Sequence, residues 1–273
     1  MSLITYPDIQ QSTPEWDDLR RGMVTASGVG QLLSVTTLGA VGYICPACDA
    51  SNSEPCQSKR AGAGPIKTMH PERVALAADQ AVTVIEPARG DTARSYTRLL
   101  VAERITGYTD PTFMSDDMMR GLMDEPRAIA AYAENYAPVT RVGFLVREGE
   151  WGQLGFSPDG LVGDEGFVEV KSRRPKKHLQ TILDDDVPAE NMAQIQAGLF
   201  VSGRRWCDYI SFSGGMPLWP KRVFPDQRWF DAIEQAVDLF EKTAVEMTAT
   251  YRARTAGLPM TERAFDPYED FVV

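Results

Sequence analysis

The spacing of apolar residues changes period part-way along this 273-residue chain. It begins as helix. Trp16, Leu19 and Met23 fall near one face, with Thr13 placed to cap and Pro14 at the first helical position, where a missing N–H costs nothing. Gly22 interrupts the pattern. Thr25-Ala26-Ser27 then offers a new N-cap before Val29, Leu32 and Leu33, so residues 12–34 read as two helices joined by a tight link. Residues 35–90 lose the periodicity and are frequent in Gly, Pro and Ala. Helical spacing returns with Tyr96, Leu99, Leu100 and Ile105, up to the breaker Gly107. A longer helix follows over 115–135, capped by Ser115, with Met118, Leu122, Ile129 and Tyr132 as its apolar positions and Pro126 as a kink.

Between 139 and 171 the pattern becomes strand-like, predicting strands at 141–147, 153–156 and 167–171. A helix over 189–202 and strands over 207–212 and 218–224 come next. Asp226 caps a last long helix, whose stripe of Phe230, Ile233, Val237, Phe240, Ala244, Met247 and Tyr251 ends before Gly257. Such a stripe is ordinarily core packing; a subunit contact is the alternative. The fold class expected is α/β (α+β), a central mixed sheet flanked by helices. Its organisation is expected to be a core of residues 1–34 and 91–257, an insertion at 35–90 and an acidic tail at 258–273.

Composition narrows the field. Hydrophobic content of 43% and charged content of 24% suit a soluble globular protein. There is no run of about 18 apolar residues to span a bilayer, and the N-terminus lacks the basic start and apolar core of a signal peptide. No membrane association and a cytoplasmic location are therefore expected. The net charge of −10 argues against nonspecific wrapping of nucleic acid over the whole surface. A local basic run is present: Lys171 to His178 carries five Lys or Arg residues and no acid, including Arg173 and Arg174. It reads either as a solvated face or, from its position, as a contact for a phosphate backbone.

That position is beside the most informative motif, GFSPDGLVGDEGFVEVKSRR. Gly163-Asp164-Glu165-Gly166 reads as a turn between two short apolar runs. Side chains alternate along a strand, so Glu169 and Lys171 share one face while Val168 and Val170 take the other. The hairpin can bring Asp159 beside Glu169. Two carboxylates suit a hard divalent cation such as Mg²⁺ or Mn²⁺, and a lysine beside them could orient or deprotonate a water for phosphodiester hydrolysis. An exposed E-x-K on a strand is ordinarily a solvated charge pair, so the motif by itself leaves both readings open.

Three of the four cysteines fall within 12 residues. Cys45-x2-Cys48-x7-Cys56-x13-His70 has the thiolate and imidazole set of a closed, structural Zn²⁺ site, which would fold a segment with little apolar periodicity. Reduced cysteines in a metal-free loop are the alternative. Cys207 reads as a buried thiol. The segment CPACDASNSEPC with HPER, Cys45 to Arg73, also resembles a small zinc-binding motif recurrent in actinobacterial and actinophage proteins, which implies metal binding and DNA contact.

Five blocks in order, TPEWDDLRRGMVTAS, RGLMDE, GFSPDGLV, VEVK and NMAQIQ, resemble the lambda-type exonucleases of the YqaJ-like viral recombinase family, within the PD-(D/E)xK nuclease superfamily. The resemblance spans residues 12–34 and roughly 92–250. It implies a restriction-endonuclease-like core carrying a small zinc-binding insertion, and a Mg²⁺-dependent 5′-to-3′ exonuclease that resects double-stranded DNA ends for phage-type recombination. By position, Asp159 and Glu169 would bind Mg²⁺, the Val170 carbonyl would complete its shell, and Lys171 would act on the water. Glu125 would lie near one or two metal ions and Gln194 would position water or phosphate. Arg20 and Ser27 would hold the terminal 5′-phosphate, in keeping with a helix N-terminus opened by Ser27 beside a guanidinium. A homotrimer and a single-strand annealing protein as partner are also implied. The alternatives are a non-catalytic DNA-binding module on a nuclease scaffold and an endonuclease of the same superfamily.

Overall fold

The structure, a computed structural model, describes residues 1–60, 62, 64–111 and 113–263. The chain divides into two compact units, one of Met1–Leu33 with the chain from Pro87 onward, the other of Ser34–Glu86.

In the first unit, β1 (Ser2–Tyr6) is followed by α1 (Pro14–Arg20). The Thr13 side chain caps α1 by accepting from the Trp16 N–H. Residues 29–32 form a single 3₁₀ turn, after which the chain runs out as β2 (Leu33–Thr37). This replaces the second helix expected before residue 34. The N–H groups of Gly28, Gln31 and Leu33 each bond three residues back, to the carbonyls of Thr25, Gly28 and Gly30, so the turn closes as 3₁₀ and passes directly into β2.

The second unit is better ordered than its apolar pattern suggests. It holds most of β2, a 3₁₀ turn (Ala40–Gly42), α2 (Pro71–Gln80) and most of β3 (Thr83–Pro87), with β2 and β3 paired as a two-stranded sheet. Its small core is Cys45, Ala50 and Cys56, with Ala47, Cys48 and Ile66 against them. Such a core has too few apolar residues to produce a strong periodic signal.

The first unit continues with α3 (Asp91–Thr106), which stops at Gly107 in the left-handed region (φ 63°), and α4 (Asp116–Asn135), capped by the Ser115 side chain. The strands β4 (Phe144–Gly149), β5 (Gly152–Phe156), β6 (Gly160–Val162) and β7 (Gly166–Ser172) then follow. β4 starts three residues later than the pattern predicts. At Gly143 the Ile9 and Tyr6 carbonyls come so close that a Cβ would lie 2.3 and 2.4 Å from them. Residues 141–143 are therefore a loop wedged against the segment after β1.

The chain closes with α5 (Pro175–Asp184), α6 (Ala189–Ser202), β8 (Trp206–Phe212), β9 (Trp219–Val223) and α7 (Gln227–Thr255). The α5 helix falls in the stretch read only as a basic run, because its buried residues are His178 and Thr181 rather than aliphatics. Asp226 caps α7 as expected, but the stripe leaves the core after Ala244, and Tyr251 is exposed.

The expected mixed sheet of the first unit is β6-β7-β8-β9, and a second, wholly antiparallel sheet, β1-β4-β5, accompanies it. In the mixed sheet, β7 and β8 are parallel, so the chain must cross over between them, through α5 and α6. On one side of this sheet, Val168, Val170 and Ile210 pack with Ala128 and Tyr132 of α4. On the other, α6 sits close because Gly198 lacks a side chain; a Cβ there would meet Phe156 and Phe167 at 2.8 and 2.9 Å. No helix among the described residues is long and apolar enough to cross a membrane.

Candidate active site and cysteine–histidine centre

The hairpin of β6 and β7 sets the first carboxylates. Gly160 pairs with Val168, so Asp159, one residue earlier, arrives beside Glu169. Asp159 Oδ2 accepts the Val170 N–H at 2.6 Å. Glu169 is 1% exposed, and its Oε1 pairs with Lys171 Nζ at 2.7 Å. Its Oε2 is buried with no hydrogen-bond donor. An orphaned carboxylate oxygen in such a place is costly unless a cation meets it. Lys171 Nζ also donates to Gln194 Oε1 at 3.0 Å, from α6.

Electrostatics reflects the crowding. Burial, reinforced by the charges of Glu169 and Glu125, raises the Asp159 carboxyl well above its ordinary range. Glu125, from α4, is also raised, chiefly by burial with Glu169 adding, while Arg141 and Lys171 oppose the shift. Burial alone would push Lys171 down; Glu169 and Asp159 overcome it and hold the side chain as an ammonium. Three carboxylates against one lysine leave a deficit of positive charge. Hard oxygen donors and the unmet Glu169 Oε2 fit a divalent cation such as Mg²⁺ or Mn²⁺.

These groups line a cavity of about 230 Å³, together with Arg20, Thr25, Ser27 and Ser157. The loop before the 3₁₀ turn lies on the edge of β5, where Gly155 N–H reaches Val24 O at 2.9 Å. This brings the Thr25 and Ser27 hydroxyls, 3.2 Å apart, to the cavity wall. Trp16 Nε1 donates to Ser157 Oγ at 2.8 Å, and the Arg20 guanidinium stacks 4.0 Å above the Trp16 ring. No carboxylate among the described residues forms a salt bridge with Arg20; burial lowers its pKa, with Asp17 opposing. Ser27 does not open a helix as expected, since Gly28 takes the cap position of the 3₁₀ turn without a side-chain bond. A Cβ at Gly28 would lie 2.0 Å from Tyr96 Oη, so the close approach of α3 requires glycine there. The positive charge at this end of the cavity therefore comes from Arg20, beside the hydroxyls of Thr25 and Ser27, without a helix dipole.

The second unit gathers Cys45, Cys48, Cys56 and His70, whose ligand atoms all lie within 4.8 Å of one another. All four cysteines of the chain are free. Cys45 Sγ is 3.4 Å from His70 Nδ1, Cys56 Sγ accepts the His70 N–H at 3.4 Å, and Cys48 Sγ accepts the Gln57 N–H at 3.3 Å. The His70 N–H, helped by Arg73, pulls the Cys56 thiol towards thiolate, while burial raises Cys45. Arg73 is wholly buried. It donates to the carbonyls of Val41, Tyr43, Ser51 and Glu54 at 2.8–3.0 Å and to Cys56 Sγ at 3.5 Å. Three sulfurs and one imidazole, with N–H groups aimed at sulfur, fit a tetrahedral Zn²⁺.

A family model described as "YqaJ-like viral recombinase domain" matches residues 68–205, just over half of the chain. The chain belongs to the YqaJ-like viral recombinase family. A second model, "Putative DNA-binding phage zinc finger domain", matches residues 17–93. Among solved structures, the chain resembles an alkaline exonuclease, LHK-Exo, from Laribacter hongkongensis, at 25% identity and a TM-score of 0.63, covering 90% of this chain and 100% of that one. LHK-Exo in complex with dAMP matches at 24% identity and a TM-score of 0.64, with the same coverage. A phage-related exonuclease from Haemophilus somnus 129PT shares the fold at 12% identity and a TM-score of 0.53, covering 86% of this chain and 99% of that one. No curated protein is significantly similar in sequence.

Of the residues singled out from sequence, Arg20, Ser27, Glu125, Asp159, Glu169, Val170, Lys171 and Gln194 line the one cavity. Arg173 and Arg174 do not line it. Arg173 turns to Glu190, Asn191 and Tyr209, and Arg174 pairs with Asp117 at 2.9 Å. Sequence reasoning missed Thr25 and Ser157 in the cavity wall. Ser157 stands two residues before Asp159 inside the quoted motif, so the signal was present. It also missed the role of Arg73 as a strut, although Arg73 closes the quoted HPER block.

Proposed function

We propose that the protein is a metal-dependent DNA exonuclease that removes nucleotides from the 5′ ends of double-stranded DNA during phage-type recombination in the cytoplasm of a bacterial host. The observation that carries this reading is the convergence of Asp159, Glu169, Lys171, Glu125 and Gln194 on one small cavity, with Glu169 Oε2 left without a partner. Membership of the YqaJ-like family and likeness to an alkaline exonuclease support it.

Asp159, Glu169 and the Val170 carbonyl would hold one or two Mg²⁺ or Mn²⁺ ions, with Glu125 alongside. Such an ion, when bound, polarises the phosphate and acidifies water. The chain's own residues do the rest. Lys171, tethered by Gln194 and Glu169, presents an ammonium to the attacked phosphate or its water. Gln194 keeps that lysine aimed into the cavity. Arg20, backed by Trp16, and the hydroxyls of Thr25, Ser27 and Ser157 receive the terminal 5′-phosphate. A guanidinium free of carboxylate partners has donors to spare for it. In this reading the cavity of about 230 Å³ takes the terminal nucleotide. Zn²⁺ on Cys45, Cys48, Cys56 and His70 holds the second unit folded. The working assembly in this reading is a homotrimer acting with a single-strand annealing protein.

End-labelled duplexes, with and without a 5′-phosphate, incubated in Mg²⁺ and in EDTA, test the reading. Mononucleotide release that needs the metal and favours the phosphorylated end is expected. Release that persists unchanged in Asp159→Ala would sink the site. No release in any metal would leave a DNA-binding module.

A further inference from the structure

A groove of about 660 Å³ opens beside the cavity, walled by Pro7 to Ser12, by Leu122, Glu125 and Pro126 on α4 and by Arg141 to Gly143. Gln11, Glu125 and Asp159 line both spaces. Arg20, Thr25 and Ser27 line the cavity alone, and Arg141 lines the groove alone. Glu125 and Asp159 thus border both the space that Arg20 lines and the space that Arg141 lines.

Arg141 is exposed and makes no hydrogen bond or ion pair with any described residue, although Asp8, Glu125 and Asp159 share its groove. Its charge is nonetheless felt at Glu125, whose carboxyl it opposes in its upward shift. An arginine that stays unpaired among three carboxylates keeps five N–H donors available. Its loop is held in place, because Gly143 sits directly under the Tyr6 and Ile9 carbonyls. Gln11, donating to Pro158 O at 3.4 Å, ties the opposite wall to the segment that carries Asp159.

We propose that Arg141 forms a second phosphate subsite, binding the first backbone phosphate on the 3′ side of the scissile one, and so setting the register of the strand across the carboxylates. The assignment rests on the nuclease reading above, in which Arg20 and Ser27 take the 5′-phosphate on the far side. It makes the site a two-point clamp. A bidentate guanidinium suits a phosphodiester oxygen pair better than a point charge does. Asp8 narrows the choice of position on the groove wall, since it repels any phosphate that strays from Arg141.

Steady-state cleavage of 5′-phosphorylated duplexes carrying one methylphosphonate, moved stepwise along the 3′ side of the scissile bond, reads this directly. Losing one oxygen charge at the bound phosphate should raise KM for the unsubstituted enzyme by about tenfold or more, the effect of a charged hydrogen bond. Arg141→Ala and Arg141→Gln should raise KM on natural DNA by a similar factor and lose sensitivity to that one methylphosphonate. If either variant keeps the wild-type KM, or responds to every methylphosphonate as the wild type does, the subsite is overturned. If the unsubstituted enzyme cleaves no DNA in any metal, the nuclease reading falls, and this inference with it.

Discussion

Cys45, Cys48, Cys56 and His70 come from 26 consecutive residues, whereas Glu125, Asp159, Glu169, Lys171 and Gln194 come from α4, the β6–β7 hairpin and α6, across 70 residues. The first cluster is wrapped by its own chain: sulfur atoms receive N–H groups, and Arg73 fills the space behind them. The second is a crowd of like charges, with two carboxyls pushed up by burial and a third carrying an orphaned oxygen. One is arranged so that its ligand completes a fold. The other is arranged so that the fold bears a strain which a ligand relieves. The two ligand sets therefore differ in what surrounds them, as well as in which atoms they offer.

The contrast predicts opposite responses to substitution. Asp159→Asn keeps an oxygen to accept the Val170 N–H but removes a buried charge. Cleavage should fall by about a thousandfold or more, given several kcal/mol from the metal and a factor of ten per ~1.4 kcal/mol. Tm measured in EDTA should rise. A fall in both would mean that the carboxylates stabilise the fold, and the contrast would fail.

Arg73→Met should do the reverse. Four carbonyls lose their donor, at roughly 1–3 kcal/mol for each that stays buried. Hydrogen exchange should show protection lost across residues 34–86 and kept across the strands of the first unit. Chelation of zinc should give the same map, and protection lost evenly through both units would argue against an independently held second unit.

Smaller effects sharpen the description of the cavity. Arg20→Ala should reduce the preference for a 5′-phosphate over a 5′-hydroxyl end by about 10- to 100-fold, as a charge-assisted bond of 1.5–3 kcal/mol implies. Competition between the two ends in one reaction measures it. Smallest of all is Arg174→Ala. Its pair with Asp117 is exposed, so Tm and cleavage should both stay near wild type. A large loss of DNA affinity would place the basic run on the DNA-binding surface.

How much of this could be read beforehand depends on how local the cause is. The β6–β7 hairpin, the caps at Thr13, Ser115 and Asp226 and the cysteine spacing are written in adjacent residues, and they appear where the pattern places them. The second helix expected before residue 34 failed because the loop in front of it is held to β5, Ala26 N–H bonding to Gly155 O and Gly155 N–H to Val24 O, a partner far along the chain. α5 escaped notice because its buried face is His178 and Thr181, which bond to Ser211 and to the Lys177 carbonyl instead of packing as aliphatics. Val41 and Ser51 gave no hint that Arg73 would bind their carbonyls, because backbone acceptors look alike in every sequence. Of the cavity, Asp159 and Glu169 were legible through their motif. Arg141, a lone arginine in the loop that walls the neighbouring groove, was not.

The base of the second unit has a consequence for the length of chain it carries. Ala88 N–H bonds to Leu32 O at 2.8 Å, so the strands that leave and re-enter the first unit are already joined at the point of departure. The 53 residues between them form a closed side-loop whose ends need no further bringing together. A change in the length of this side-loop therefore leaves the spacing of Leu32 and Ala88 in the first unit as it is, because that step is closed by its own hydrogen bond.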